Sequence, residues 1–367
     1  MFKKLIVALF LVVTIANSTE SVTAQLDPEP IHASNSAMLN MRWSLDSTTF
    51  VYQNSLYLDP QSDIGVHTTT MNWYAYDQST QIVTTSADWP LQPLLDTAKK
   101  QVMRLAVING QESFVFPSPN GRFLVYLAEP PTEWCGGMDV CGRPLAVYDQ
   151  VEDAFQYVPY PGTNPPNEYI PSGDLWNFER GYDIKWSADS STLYGFTITS
   201  GNASLTYRIT GFSTSPPSLS VEMLSDGFQV QNKTVYPVRV IAVSSDGSRF
   251  LTGTYGFWLY DFADLSESKL LTDRDDWIIG ASFDPHDDNV IWYINKFGLF
   301  RRDLTTDQEV LIDASINSNR ATNSSPWFQK AVFAPDLSAI ALYLNGNAEA
   351  LNQIQIYRLQ PQATPMP

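Results

Sequence analysis

Six times along this chain an apolar strand runs into a short polar turn centred on Asp or Asn and returns as a second apolar strand. The copies are Met41 to Asp46 leading into Thr49 to Tyr52, Val115 to Gly121 into Phe123 to Tyr126, and Ile184 to Asp189 into Leu193 to Phe196. They continue with Ile241 to Gly247 into Phe250 to Gly253, Ala281 to Asp287 into Val290 to Tyr293, and Ala331 to Asp336 into Ile340 to Tyr343. A unit that recurs through a whole chain restricts it to folds that stack or circle that unit. Pro presets one turn dihedral, and Asp, Asn and Gly tolerate left-handed backbone, so each copy predicts a β-hairpin.

Measured between turn residues 46, 120, 189, 246, 287 and 336, the copies are 74, 69, 57, 41 and 49 residues apart. A four-stranded propeller blade needs about 40 to 45 residues, so the 41-residue step is a bare blade and the longer steps carry insertions. An aromatic-Asp third strand follows most hairpins, at Trp73 to Asp77, Ala146 to Asp149 and Trp258 to Asp261, with Arg358 standing in for Asp after Tyr357. Only 17% of residues are charged and 24 are proline, a balance that favours short strands and turns over long helices. The expected fold is all-β, a β-propeller of six four-stranded blades, or seven if the long first step holds another copy; a β-sandwich would show no fixed repeat.

The turn motif is most complete at Ser118-Pro119-Asn120-Gly121 and Ser244-Ser245-Asp246-Gly247. It resembles the repeat of TolB-like, WD-repeat-like β-propellers of exported bacterial proteins, and of the propeller domain of prolyl-oligopeptidase-type enzymes. The likeness spans residues 38–360 as one propeller domain. It carries no peptidase activity across, because that family's catalytic domain is a separate module and no G-x-S-x-G elbow occurs here. Propeller geometry implies that the Asp-centred turns share a bottom face and that Asp88 to Glu112, Glu129 to Arg143 and Tyr160 to Gly181 rise on the top face. Glu133, Trp134, Tyr169, Trp176, Glu179, Arg180, Asp276, Trp277 and Trp327 then set aromatic rings beside charged groups on that face, a mixture suited to peptides, sugars or cationic groups. A helix opened by Pro93, with Leu95, Ala98, Val102 and Leu105 as its apolar face, is expected within the first of these segments.

Lys3 and Lys4 precede an apolar run from Leu5 to Ala16 and a small-residue pattern ending at Ala24, so residues 1–24 read as a signal peptide. The run is shorter than the ~20 residues a membrane span requires, so no span is expected after cleavage, which takes the formal charge from −17 to −18 by removing Lys3, Lys4 and Glu20. The final blade has no room for a fourth strand before the Pro-rich tail at 361–367, since proline cannot donate to a ladder. The segment 25–37 is therefore expected to supply it. Cys135 and Cys141 enclose Gly-Gly-Met-Asp-Val, a loop easily bent to disulfide geometry in an extracytoplasmic compartment, secreted or periplasmic.

So negative a chain argues against nucleic acid and anionic membranes as partners. The three histidines, His32, His67 and His286, are too dispersed for a metal cluster or a Ser-His-Asp relay. Calcium could meet carboxylates at Asp273 to Asp276 or Asp284 to Asn289, yet neither has the D-x-D-x-D-G register, and no cofactor or metal is assigned. The expected function is non-catalytic binding of a protein, peptide or glycan through the top face. The alternative is a carboxylate-based hydrolase or lyase acting in the central funnel.

Overall fold

The computed structural model describes residues 29–34, 37–55, 72–86, 90–108, 111–132, 143–159, 175–176, 184–198, 204–223, 228–230, 233–235, 240–252, 256–263, 268–272, 278–317, 327–346 and 351–359. The chain opens with β1 (Glu29–Ser34), followed by blade one: β2 (Ala37–Trp43), β3 (Thr49–Ser55), β4 (Asn72–Asp77) and β5 (Ile82–Ser86). The helix α1 (Thr97–Met103) and a small hairpin of β6 (Val107–Ile108) and β7 (Gln111–Glu112) lead to blade two. That blade comprises β8 (Val115–Pro117), β9 (Phe123–Leu127), β10 (Leu145–Asp149) and β11 (Ala154–Tyr157). Blade three has a divided inner strand, β12 (Leu175–Trp176) and β13 (Lys185–Trp186), both pairing with β14 (Leu193–Ile198), then β15 (Ser204–Thr210) and β16 (Ser220–Met223). A hairpin of β17 (Phe228–Val230) and β18 (Lys233–Val235) precedes blade four, made of β19 (Val240–Val243), β20 (Arg249–Thr252), β21 (Phe257–Asp261) and β22 (Lys269–Thr272). Blade five holds β23 (Gly280–Asp284), β24 (Asp287–Asn295), β25 (Gly298–Asp303) and β26 (Glu309–Asp313); blade six holds β27 (Trp327–Phe333), β28 (Ala339–Asn345) and β29 (Asn352–Arg358).

These antiparallel sheets form a six-bladed β-propeller, and among the described residues no seventh blade occupies the long first step. The sixth sheet runs β1-β29-β28-β27, so the first strand among the described residues is the outer strand of the last blade, with Glu29 opposite Ile356 and Ser34 opposite Asn352. Middle strands are covered by a neighbouring blade on each side. Phe123 to Leu127 and Leu145 to Asp149 are buried at every residue, whereas the outer strand Ile82 to Ser86 is largely exposed.

The core is therefore distributed between blades. Met38, Met41, Trp43, Phe50 and Tyr76 of blade one meet Ala339, Ala341, Ile354 and Ile356 of blade six. Ile279, Val290 and Ile294 of blade five meet Phe333, Ile340 and Leu342 on blade six's other face. Inner strands are also stapled directly: Trp43 Nε1 donates to the Val332 carbonyl at 2.9 Å, and the Ala331 N–H to the Ile279 carbonyl at 2.9 Å.

The Ser-x-Asp turns owe their composition to one repeated network. In blade one Ser44 Oγ donates to Asp46 Oδ1 at 2.6 Å, that oxygen accepts the Thr48 N–H at 3.1 Å, and Ser44 Oγ accepts the Thr49 N–H at 2.9 Å. The same three bonds recur at Ser118/Asn120, Ser187/Asp189 and Ser244/Asp246. The residue after Asp or Asn is left-handed each time: Ser47 at φ 60°, Gly121 at 71°, Ser190 at 63° and Gly247 at 71°. Two departures from glycine have a purpose. Ser47 Oγ accepts the Asp336 N–H of blade six, and Ser190 Oγ accepts the Asn120 N–H of blade two, each at 3.0 Å. Glycine stays at 247 because a Cβ there would lie 2.7 Å from Thr192 Cβ of blade three.

The Asp of the third-strand signature caps the turn into the fourth strand. Asp77 Oδ1 accepts the Ser79 and Thr80 N–H groups at 2.9 and 2.8 Å, Asp149 the Val151 N–H at 2.9 Å and Asp261 the Ala263 N–H at 2.9 Å. Blade six has no such turn, because its fourth strand arrives from the other end of the chain. Arg358, at the corresponding place, reaches Tyr76 Oη of blade one at 3.5 Å.

The helix differs from its expected form. It starts at Thr97, where Asp96 Oδ1 accepts the Lys99 N–H at 2.7 Å, and not at Pro93. Met103 is its buried residue, while Ala98 and Val102 are exposed. Met103 and Leu105 pack on Tyr126 and Tyr148 of blade two, and Lys99 Nζ reaches Gln150 of a bottom turn at 3.2 Å. This part of the first insertion lies against the side of blade two, reaching its bottom turn at Lys99 and, through Arg104, the start of the long 128–144 connection, where the Glu129 N–H donates to the Arg104 carbonyl at 2.7 Å.

Candidate functional site

The two faces are built differently. All described first-to-second strand turns are short, and several are bonded to the turn of the next blade: Asn120 N–H to Ser190 Oγ, Asp189 N–H to the Ser245 carbonyl at 3.1 Å, Ser245 N–H to Asp288 Oδ1 at 2.9 Å, and Asp336 N–H to Ser47 Oγ. Arg122 Nη2 meets Asp149 Oδ2 on this side at 2.6 Å. Burial would raise the Asp149 pKa, but the Arg122 guanidinium and the backbone N–H groups of Val151 and Glu152 outweigh it and hold the carboxyl below its usual range.

Long connections leave from the opposite edges of the blades. Residues 56–71 join the second and third strands of blade one, 128–144 those of blade two, and 158–174 run from blade two toward β12. The first of these was absent from the sequence reading. Trp176 ends β12, paired with Thr197, and Trp327 opens β27, paired with Asn345. Both registers place the residue at the end of an inner strand remote from the Ser-x-Asp turns. Glu133, Trp134, Tyr169, Glu179, Arg180, Asp276 and Trp277 lie outside the described residues, as do Cys135, Cys141 and His67.

Among the described residues no group of three or more His, Cys, Asp or Glu side chains is placed to hold a metal ion. His286 sits exposed in the blade-five turn. His32 has a different setting: its Nδ1 lies 2.8 Å from Tyr52 Oη, and its ring stands edge-on to Tyr74 with centroids 4.4 Å apart. Burial holds its pKa below the ordinary 6.5 and pushes the Tyr52 phenol up.

One residue near the axis escaped the sequence reading. The inner-strand position two residues before each turn is occupied by Arg42, Phe116, Lys185, Ala242, Ser282 and Val332. Arg42 places its guanidinium carbon 4.7 Å from the Phe116 ring centroid, crossing from blade one to blade two. Its Nη1 is buried and meets no hydrogen-bond acceptor among the described residues, and burial pushes its pKa down to about 10. A cation at two of these six positions carries no periodic signal, so only the structure reveals the setting of Arg42.

No family model matches the sequence, and no curated protein matches it. Among solved structures the chain is similar to a luciferin-regenerating enzyme at 12% identity and a TM-score of 0.45, covering 92% of this chain and 96% of that one. It is also similar to prolyl oligopeptidase B from Galerina marginata, at 12% identity and a TM-score of 0.46, covering 89% of this chain and 41% of that one. An Agrobacterium tumefaciens protein assigned to TolB aligns at 12% identity and a TM-score of 0.39 over 67% of this chain and 76% of its own. Likenesses this distant decide nothing about function, and the six-bladed architecture is read from the chain's own strand pairing.

Proposed function

We propose that this chain is an exported, non-catalytic propeller that binds a protein, peptide or glycan through the face opposite its Ser-x-Asp turns. The observation that supports it is the asymmetry between the faces. One is closed by short turns bonded blade to blade, and the long connections emerge from the other. Long connections of this kind are where a scaffold commonly accommodates a partner. Trp134, Trp176 and Trp327 are its aromatic anchors, with Glu133, Tyr169, Glu179, Arg180, Asp276 and Trp277 supplying polar and charged contacts.

The test is a screen of the secreted protein against glycan and peptide arrays, repeated with Trp134→Ala and Trp176→Ala. Capture should fall at least tenfold with little change in melting temperature. Trp43→Ala is the contrasting variant. Trp43 is 4% exposed and bonded to Val332, so its loss should cost about 3 to 5 kcal/mol of stability. Top-face variants that capture like the parent, or that melt like Trp43→Ala, would overturn the reading.

A further inference from the structure

A buried guanidinium ordinarily sits beside a carboxylate, because removing an ion from water costs several kcal/mol that only a partner offsets. This chain has 39 acidic residues against 22 Lys and Arg, so such partners are abundant. Arg122 has Asp149, and Arg302 has both Asp307 and Glu309. Arg42 has none among the described residues. Arg42 is half-buried, its guanidinium carbon lies 4.7 Å from the Phe116 ring centroid, and its buried Nη1 meets no acceptor among the described residues. Stacking on an aromatic face returns about 0.5 to 2 kcal/mol, less than the desolvation it accompanies. The strand carrying Arg42 is the inner edge of its sheet, with β3 on one side and no paired strand on the other.

We propose that Arg42 is the anchor of an anion site at the inner junction of blades one and two, and that the group it takes is a carboxylate. The guanidinium offers donors in a plane, the geometry a carboxylate matches, and it lies over the Phe116 ring. The cation is kept at a stability cost, as expected of a residue retained for binding. This inference is independent of the top-face reading and concerns a different part of the molecule.

The experiment is a thermal melt with sodium acetate, sodium phosphate or sodium chloride at matched ionic strength, followed by calorimetric titration with acetate. Acetate should raise the melting temperature saturably, beyond chloride and phosphate. Arg42→Met and Arg42→Gln should weaken acetate binding at least tenfold. Both variants should also melt higher than the parent without acetate, because they remove an uncompensated buried charge. A saturable effect of phosphate with none of acetate would overturn the choice of carboxylate. Variants that melt lower, together with no acetate effect on the parent, would show a structural strut on Phe116 and overturn the site.

Discussion

Ser47 Oγ accepts the backbone N–H of Asp336 at 3.0 Å, across 289 positions of chain, and so ties the first blade's turn to the last. The same turn position is Ser190 in blade three, where it receives Asn120, and glycine in blades two and four. A residue usually explained by backbone conformation alone thus also decides how one blade grips the next.

Gly121 and Gly247 both sit at φ 71°, but a Cβ at 121 would meet nothing within 4 Å, while one at 247 would press on Thr192. Gly121→Ala should cost about 1 kcal/mol, the conformational penalty alone. Gly247→Ala should cost about 1 to 3 kcal/mol more, the strain of overpacking. Urea denaturation of the two variants measures the difference, and equal losses would refute the contact.

His32 predicts a specific pH response. Its folded pKa lies below 6.5, so the unfolded chain binds the proton first as pH falls. The stability it contributes is present above about pH 6.5 and is lost as the pH falls through the lower folded value. The parent should lose more melting temperature between pH 7.5 and 5.5 than His32→Gln does. The carboxylates of Asp46, Asp149, Asp246 and Asp336 are all held below 3.8 and act in a separate, more acidic window.

If the chain is exported as proposed, Cys135 and Cys141 should resist alkylation until the protein is reduced, as mass spectrometry can show. Closing a ring of about seven residues contributes only about 2 kcal/mol by chain entropy. Reduction should therefore leave the β-sheet circular dichroism signal intact.

Deleting residues 25–34 removes the partner of β29 and leaves its edge open. The shortened chain should melt at lower temperature and form higher oligomers in size-exclusion chromatography. A monomer with unchanged melting temperature would mean that the seam pairing contributes little.

The blade architecture was legible because its signal is local and repeated. Ser44 and Asp46, two residues apart, satisfy the same hydrogen bonds that Ser244 and Asp246 satisfy 200 residues later. Even the Arg at 358 marked the one blade lacking a third-to-fourth strand turn. The helix was misplaced because a seven-residue helix is set by its cap and its neighbours: Asp96 starts it and blade two selects Met103, which no short periodicity reveals. Arg42 was invisible for another reason. Sequence shows that a cation is present, and only tertiary structure shows that its Nη1 meets no acceptor among the described residues.

The seam between β1 and β29 also orders events in time. Synthesis delivers Glu29 to Ser34 long before Asn352 to Arg358, so β1 must wait for all six inner hairpins to be made before its partner exists. Until then it has no ladder to join, and β29 is closed on its outer side by a strand made long before it. A chain broken off before residue 352 would carry five blades, a β27–β28 hairpin with one edge open and β1 without a partner, a product that cellular quality control can tell from the finished ring by its open edges alone.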